Sequence, residues 1–94
     1  MRKQSLEIDR ILIVSLLHLT LEDRQALINE ETDLIVYEMG EYGWMILARN
    51  VDLVAPYEHS DNLEKLLEFA RENDCDWIRF DTDANEIAGF ETFE

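Results

Sequence analysis

The best-organised chemical feature of the chain is a row of carboxylates in its second half. Asp61, Glu64, Glu68 and Glu72 recur at steps of three, four and four. On a helix those steps stack all four along one stripe, each about 4.5–6 Å above the last. Glu58, Asp74 and Asp76 extend the row at its ends. Like charges at i, i+4 weaken a helix, and Lys65 offsets them only in part, so the row does not serve helix stability. A line of anions on a rigid rod suits a surface lined by Lys and Arg. The plainer reading of the same residues is a solvated outer face opposite a leucine stripe.

Other residues that could do chemistry lack the company they need. Asp81-Thr82-Asp83-Ala84-Asn85-Glu86 begins like a calcium loop, but such a loop wants Gly sixth and Glu twelfth. Here those places hold Glu86 and Thr92, so an acidic turn is expected instead, where Asp and Asn suit the backbone. His18 and His59 have no ligand spacing to each other or to Cys75. The same isolation leaves no Cys/His nucleophile pair. His18 reads as a hydrogen-bonded structural residue at the end of an apolar run, and His59 as an exposed one beside a helix start. Ser15 and Ser60 lack a nucleophile-elbow context. Gly40 and Gly43 do not make a phosphate-binding loop. The expectation is a protein without catalytic residues, metal or cofactor.

Composition narrows the partners. The chain has 94 residues, 22 acidic against 8 basic, for a formal charge of −14. Residues 50–94 hold 13 acids and only Lys65, Arg71 and Arg79 as bases. Phosphate binding would work against that field, so no direct nucleic-acid contact is expected. A basic protein surface is the complementary partner, although excess carboxylate also simply keeps small proteins soluble. Hydrophobic residues make up 47% of the chain, which supports a real core. The length fits one domain, residues 1–94. A single cysteine, Cys75, allows no internal disulfide and fits a reducing compartment. Met1-Arg2-Lys3 before the apolar run resembles a secretory leader, but Glu7, Asp9 and Arg10 interrupt it. Ile11–Leu17 is too short to span a bilayer, so a cytoplasmic protein is expected.

The elements that must position these residues follow from periodicity. Ile11–Leu17 is apolar on both parities and reads as a central strand. Thr20 suits a helix N-cap, with Glu22 and Asp23 in the first turn of a helix reaching about Asn29. Asp33–Met39 and Trp44–Ala48 read as strands joined by the turn Gly40–Gly43. Arg49–His59 is a connection holding the only proline, Pro56. Asp61-Asn62-Leu63-Glu64 has the form of a capping box. Leu63, Leu66, Leu67 and Ala70 then mark a buried helical stripe ending at Asn73-Asp74. Asp76–Asp81 alternates, with Trp77 and Arg79 on one side and Ile78 and Phe80 on the other. Glu86–Phe93 reads as a last strand. The order β-α-β-β-α-β-β predicts an α+β two-layer sandwich, a split βαβ arrangement plus a hairpin strand. Its sheet should be mostly antiparallel, with two helices on one face. The first strand's second apolar parity must then be covered by the termini or by another chain.

The stretch from Leu66 onward carries a specific pattern: Ala70, Arg71, Cys75, Asp76, Trp77, Phe80, Asp81, Asp83 and Gly89. It resembles the C-terminal signature of a family known only as domain of unknown function 5983. His18-Leu19-Thr20 and Tyr42-Gly43-Trp44 are similar to that family's upstream segments. The chain departs from the pattern at Asp74 and Ala84, where Gly is expected. The resemblance implies an accessory protein of bacterial phages and plasmids and carries over no activity.

Two functional expectations follow. The first is a non-enzymatic inhibitor from a mobile element. Asp61, Glu64, Glu68, Glu72, Asp74 and Asp76 would occupy the basic site of a nucleic-acid-binding host defence complex, in the manner of anti-CRISPR and antirestriction proteins. The second is a structural or accessory interaction module, homodimeric in one version, whose acidity serves only solubility. An enzyme stands third, and no membrane partner is expected.

Overall fold

The computed structural model describes residues 8–32, 34–49 and 59–94. The expected connection around Pro56, the Asp33 end of the second strand, Glu58 and the N-terminal Met1–Glu7 lie outside them. Four strands form one sheet: β1 (Ile11–Ser15), β2 (Val36–Glu38), β3 (Gly43–Leu47) and β4 (Trp77–Asp81). Two helices accompany it, α1 (Leu21–Ile28) and α2 (Asp61–Glu72). The strand order is β1-β4-β3-β2. β1 runs parallel to β4, and the other two pairings are antiparallel. β1 and β2 are therefore parallel strands at opposite edges, joined through α1, with β4 and β3 inserted between them.

The α+β class and the mostly antiparallel sheet agree with the sequence; two of its finer expectations do not. β1 lies at an edge of the sheet rather than at its centre, because β4 takes the inner place. Residues 86–93 form no strand. Their backbone is satisfied point by point instead: Ile87 N–H donates to His18 Nε2 at 2.8 Å, and Phe93 N–H to the Leu17 carbonyl at 2.6 Å. A ladder would need regular pairing along one neighbour, and these bonds go to separate points in the turn after β1 instead of along a strand.

Register explains the two faces. Leu12, Val14, Ile78, Phe80, Ile46, Trp44 and Val36 share one side of the pleat. They join the core with Leu27 of α1 and the α2 stripe Leu63, Leu66, Leu67 and Ala70. Each of those four α2 residues is at most 2% exposed. Leu67→Ala should therefore lower stability by about 3 kcal/mol, within the range for buried leucines. Urea denaturation tests this, and a change within about 0.5 kcal/mol would place Leu67 at the surface.

Capping sets where the helices begin. Thr20 Oγ1 accepts the Asp23 N–H at 3.0 Å, as its type and place predict. α2 starts one residue earlier than the capping-box reading. Ser60 is the N-cap, its Oγ accepting the Leu63 N–H at 3.0 Å, and Asp61 is the first helical residue. The cause lies in α1: the Asp23 carboxylate accepts the Ser60 N–H at 3.1 Å and the Ser60 hydroxyl proton. Asp23 is 5% exposed and thus ties the start of one helix to the start of the other.

Candidate protein-binding surfaces

The α2 stripe that packs on the sheet leaves the carboxylates facing outward. Asp61, Glu64, Glu68, Glu72 and Asp74 are all exposed. Glu64 is partly neutralised: His59 Nε2 lies 2.6 Å from one of its oxygens and Arg71 Nη1 3.8 Å from the other. His59 is accordingly half-buried against the helix rather than free at the surface. Asp76 is set apart from the row. It accepts the Arg10 backbone N–H at 2.9 Å and meets Arg49 Nε at 3.1 Å, bracing the start of β1 against β4. The exposed row is thus Asp61, Glu64, Glu68, Glu72 and Asp74, and its freest charges are Asp61, Glu68, Glu72 and Asp74.

The turn after β4 uses its acids internally. Asp81 Oδ1 accepts the Asp83 N–H at 2.8 Å, and Oδ2 pairs with Arg79 Nη2 at 2.7 Å. The Asp83 N–H lowers the Asp81 carboxyl below its ordinary value; burial opposes this, and Arg79 adds to the lowering. Its stabilisation is present above the unfolded carboxylate value and is lost as pH falls through the lower folded one. The geometry is that of a side chain closing its own turn. Among the described residues no group of three His, Cys, Asp or Glu side chains is placed to hold a metal. Cys75 is a free, half-buried thiol packed against the core at the exit of α2.

His18 is fully buried at the end of the short turn after β1. Its Nε2 accepts the Ile87 N–H, and Nδ1 lies 2.8 Å from the Glu91 carbonyl. These partners assign the ring proton to Nδ1, which donates to that carbonyl. Phe90 stands edge-on to the ring at 6.1 Å and to Phe69 of α2 at 5.2 Å. The histidine is structural, as its position in the sequence predicts.

The side of the sheet away from the helices is a second surface. Register places Ile11, Trp77, Leu47 and Ile35 in one row across the strands, and Ile13, Arg79, Met45 and Tyr37 in the next. The Leu47 N–H bond to the Ile35 carbonyl, 2.9 Å, extends the β2–β3 pairing to that position. Seven of these eight side chains are apolar. Ile11 is 44% exposed, Ile13 52%, Ile35 43% and Tyr37 58%. The first strand's two-sided pattern anticipated this face; its width across all four strands required the strand order.

The family model supplies the remaining comparison. It is that of the C-terminal domain of a family of unknown function, DUF5983, and it matches residues 11–94. The chain belongs to that family. No curated protein and no solved structure matches it. The DUF5983 match begins at the first residue of β1 and takes in both surfaces described above. Within this domain Cys75, Trp77, Phe80, Asp81 and Asp83 follow one another from the α2 exit through β4 into its turn. A groove of about 180 Å³ lies between the end of α1 and β2, lined by Leu27, Val36 and Trp44 and by Glu30 and Glu38, below the ~300–1,000 Å³ typical of small-molecule sites. A wider, open recess of about 450 Å³ lies at the α2 exit, lined by Arg49, Arg71, Asp74, Cys75 and Asp76. No helix among the described residues is long and apolar enough to cross a membrane.

Proposed function

We propose that this DUF5983 domain is a non-enzymatic acidic binding protein of a phage or other mobile element. Its α2 ridge presents a nucleic-acid-like anionic face to a basic surface of a host defence complex, as anti-CRISPR and antirestriction proteins do. The observation that carries this reading is the one-sidedness of α2: Leu63, Leu66, Leu67 and Ala70 are buried, while Asp61, Glu64, Glu68 and Glu72 are exposed. Those four acids span eleven residue steps, about 16 Å of helix. The spacing is sparser than the ~3.4 Å rise between phosphates along one DNA strand. The ridge therefore imitates the field of a short backbone segment rather than its individual phosphates. A second reading, an accessory interaction module whose charge serves only solubility, draws on the apolar face of the sheet.

Complementary fields speed encounter, and exposed charges are screened by salt. The double variant Glu64→Lys/Glu68→Lys should associate with its defence-complex partner about tenfold more slowly at low salt, with a smaller change in dissociation. Its melting temperature should fall by only a few degrees, because the contacts Glu64 loses with His59 and Arg71 are solvent-exposed ones. The measurement is binding kinetics at two salt concentrations against purified restriction or CRISPR effector complexes, alongside displacement of their DNA. An on-rate untouched by the double reversal at both salts would reduce the ridge to a solubilising surface.

A further inference from the structure

We propose that the open face of the sheet docks a second copy of this chain, sheet against sheet. The eight-residue face is almost neutral in a protein of charge −14. Arg79 is the one charged side chain in its two rows, and Asp81, next on the same side of β4, pairs with it at 2.7 Å. Two such bodies repel through most of their surface. Here they can meet with the α2 ridges held apart, since the ridge lies in the opposite layer; the carboxylates that border the face, Asp9 against the Trp77 indole N–H and Asp81, are paired with Arg49 and Arg79.

The face is also self-complementary. A two-fold axis lying between the sheets, parallel to the strands and midway between β3 and β4, exchanges β4 with the partner's β3 and β1 with its β2. An isologous contact of this kind repeats each pairing twice. Trp77 then lies over the partner's Leu47, Ile13 over the partner's Tyr37, and Ile11 over the partner's Ile35. Bulky rings thus face aliphatic side chains. Arg79 lies over the partner's Met45 rather than over another arginine. Asp81 lies over the partner's Gly43, which has no side chain to crowd it. Aligned sheets pack this way about 10 Å apart, with the strands turned by about 30°.

Size sets the strength. Four strands about 4.8 Å apart and two side-chain rows make a patch smaller than the ~800 Å² per partner of a standard stable interface. The dimer is therefore reversible and concentration-dependent, and it presents two α2 ridges facing outward on opposite sides. This inference is independent of the reading of the ridge, because the two surfaces lie on different layers.

Sedimentation of the whole chain over a wide micromolar range, at roughly 0.1 M and roughly 0.5 M salt, tests it. The expected result is a monomer–dimer equilibrium that tightens at the higher salt, as repulsion between the acidic bodies is screened. A contact that paired the ridge with basic side chains of the other copy would weaken instead. Ile13→Glu should weaken self-association at least about tenfold, by placing an unpaired charge in the contact. Tyr37→Glu, at the other edge of the sheet, should do the same and serves if the first variant folds poorly. A wild-type chain that stays monomeric at several hundred micromolar overturns the proposal and leaves the face to a different protein. A dimer unaffected by either folded glutamate variant overturns it as well, by placing the contact elsewhere.

Discussion

Gly43→Ala should cost more than about 4 kcal/mol and leave little folded protein, since a domain of this size has roughly 5–15 kcal/mol in all. Gly43 opens β3 with φ at +132°, a conformation side chains rarely adopt. A Cβ there would meet the Phe80 carbonyl oxygen at 1.9 Å and its carbon at 3.0 Å. Both are backbone atoms of β4, the strand through which β3 joins β1, so neither can move without breaking the sheet at its centre. Gly40 provides the comparison. Its φ is +62° and a Cβ there would meet nothing within 4 Å, so Gly40→Ala should cost only about 1–2 kcal/mol, from backbone conformation. Urea denaturation of the two variants side by side measures the difference. Equal losses would show that the β3–β4 approach is looser than the structure has it.

The contrast between those glycines marks what a sequence can and cannot disclose. Both were legible as brackets of a turn, because local chemistry asks for Gly there. That one of them lies against a strand almost forty residues later depends on strand pairing, which no local pattern encodes. The capping of α2 follows the same logic. Ser60 and Asp61 are both competent caps, and the choice between them is made by Asp23, on the other helix. Where the signal is periodic, the reading was sound: the Leu63–Ala70 stripe and the opposing acids fall on the faces that their spacing predicts. Asp76 fits the same row by number, yet Arg10 and Arg49 draw it to the strand edge. Glu86–Phe93 reads as a last strand, yet its apolar residues Ile87, Phe90 and Phe93 lack the alternation of one. Their spacing of three suits a segment that touches the body at separate points, and the partners of those points lie in β1's turn and α2.

That final segment is held by one buried ring, and His18→Ala should release it at a total cost of about 3–5 kcal/mol. The ring is 0% exposed, and removing an aromatic-sized side chain from a core commonly costs that much. The loss also strands the Ile87 N–H and the Glu91 carbonyl, the two groups that the ring nitrogens satisfy. The remaining ties are the Asn85 carbonyl to Ser15 N–H at 3.0 Å, the Phe93 N–H to the Leu17 carbonyl, and Arg24 to the Phe93 carbonyl. They sit at the two ends of the segment and leave its middle with apolar packing alone, Phe90 against Phe69. Two measurements separate a local from a global effect. Cleavage of residues 86–94 by a protease should rise at denaturant concentrations where the core is still folded, and the urea midpoint should fall. A variant within about 0.5 kcal/mol of the parent, with the segment still protected, would show that Phe90 against Phe69 holds it without the histidine. If both effects appear, the consequence reaches α2. Phe90 packs on Phe69, the residue beside Glu68, so a released segment withdraws support from the helix that carries the acidic ridge. The lone buried histidine then serves the proposed binding surface by keeping that helix in place.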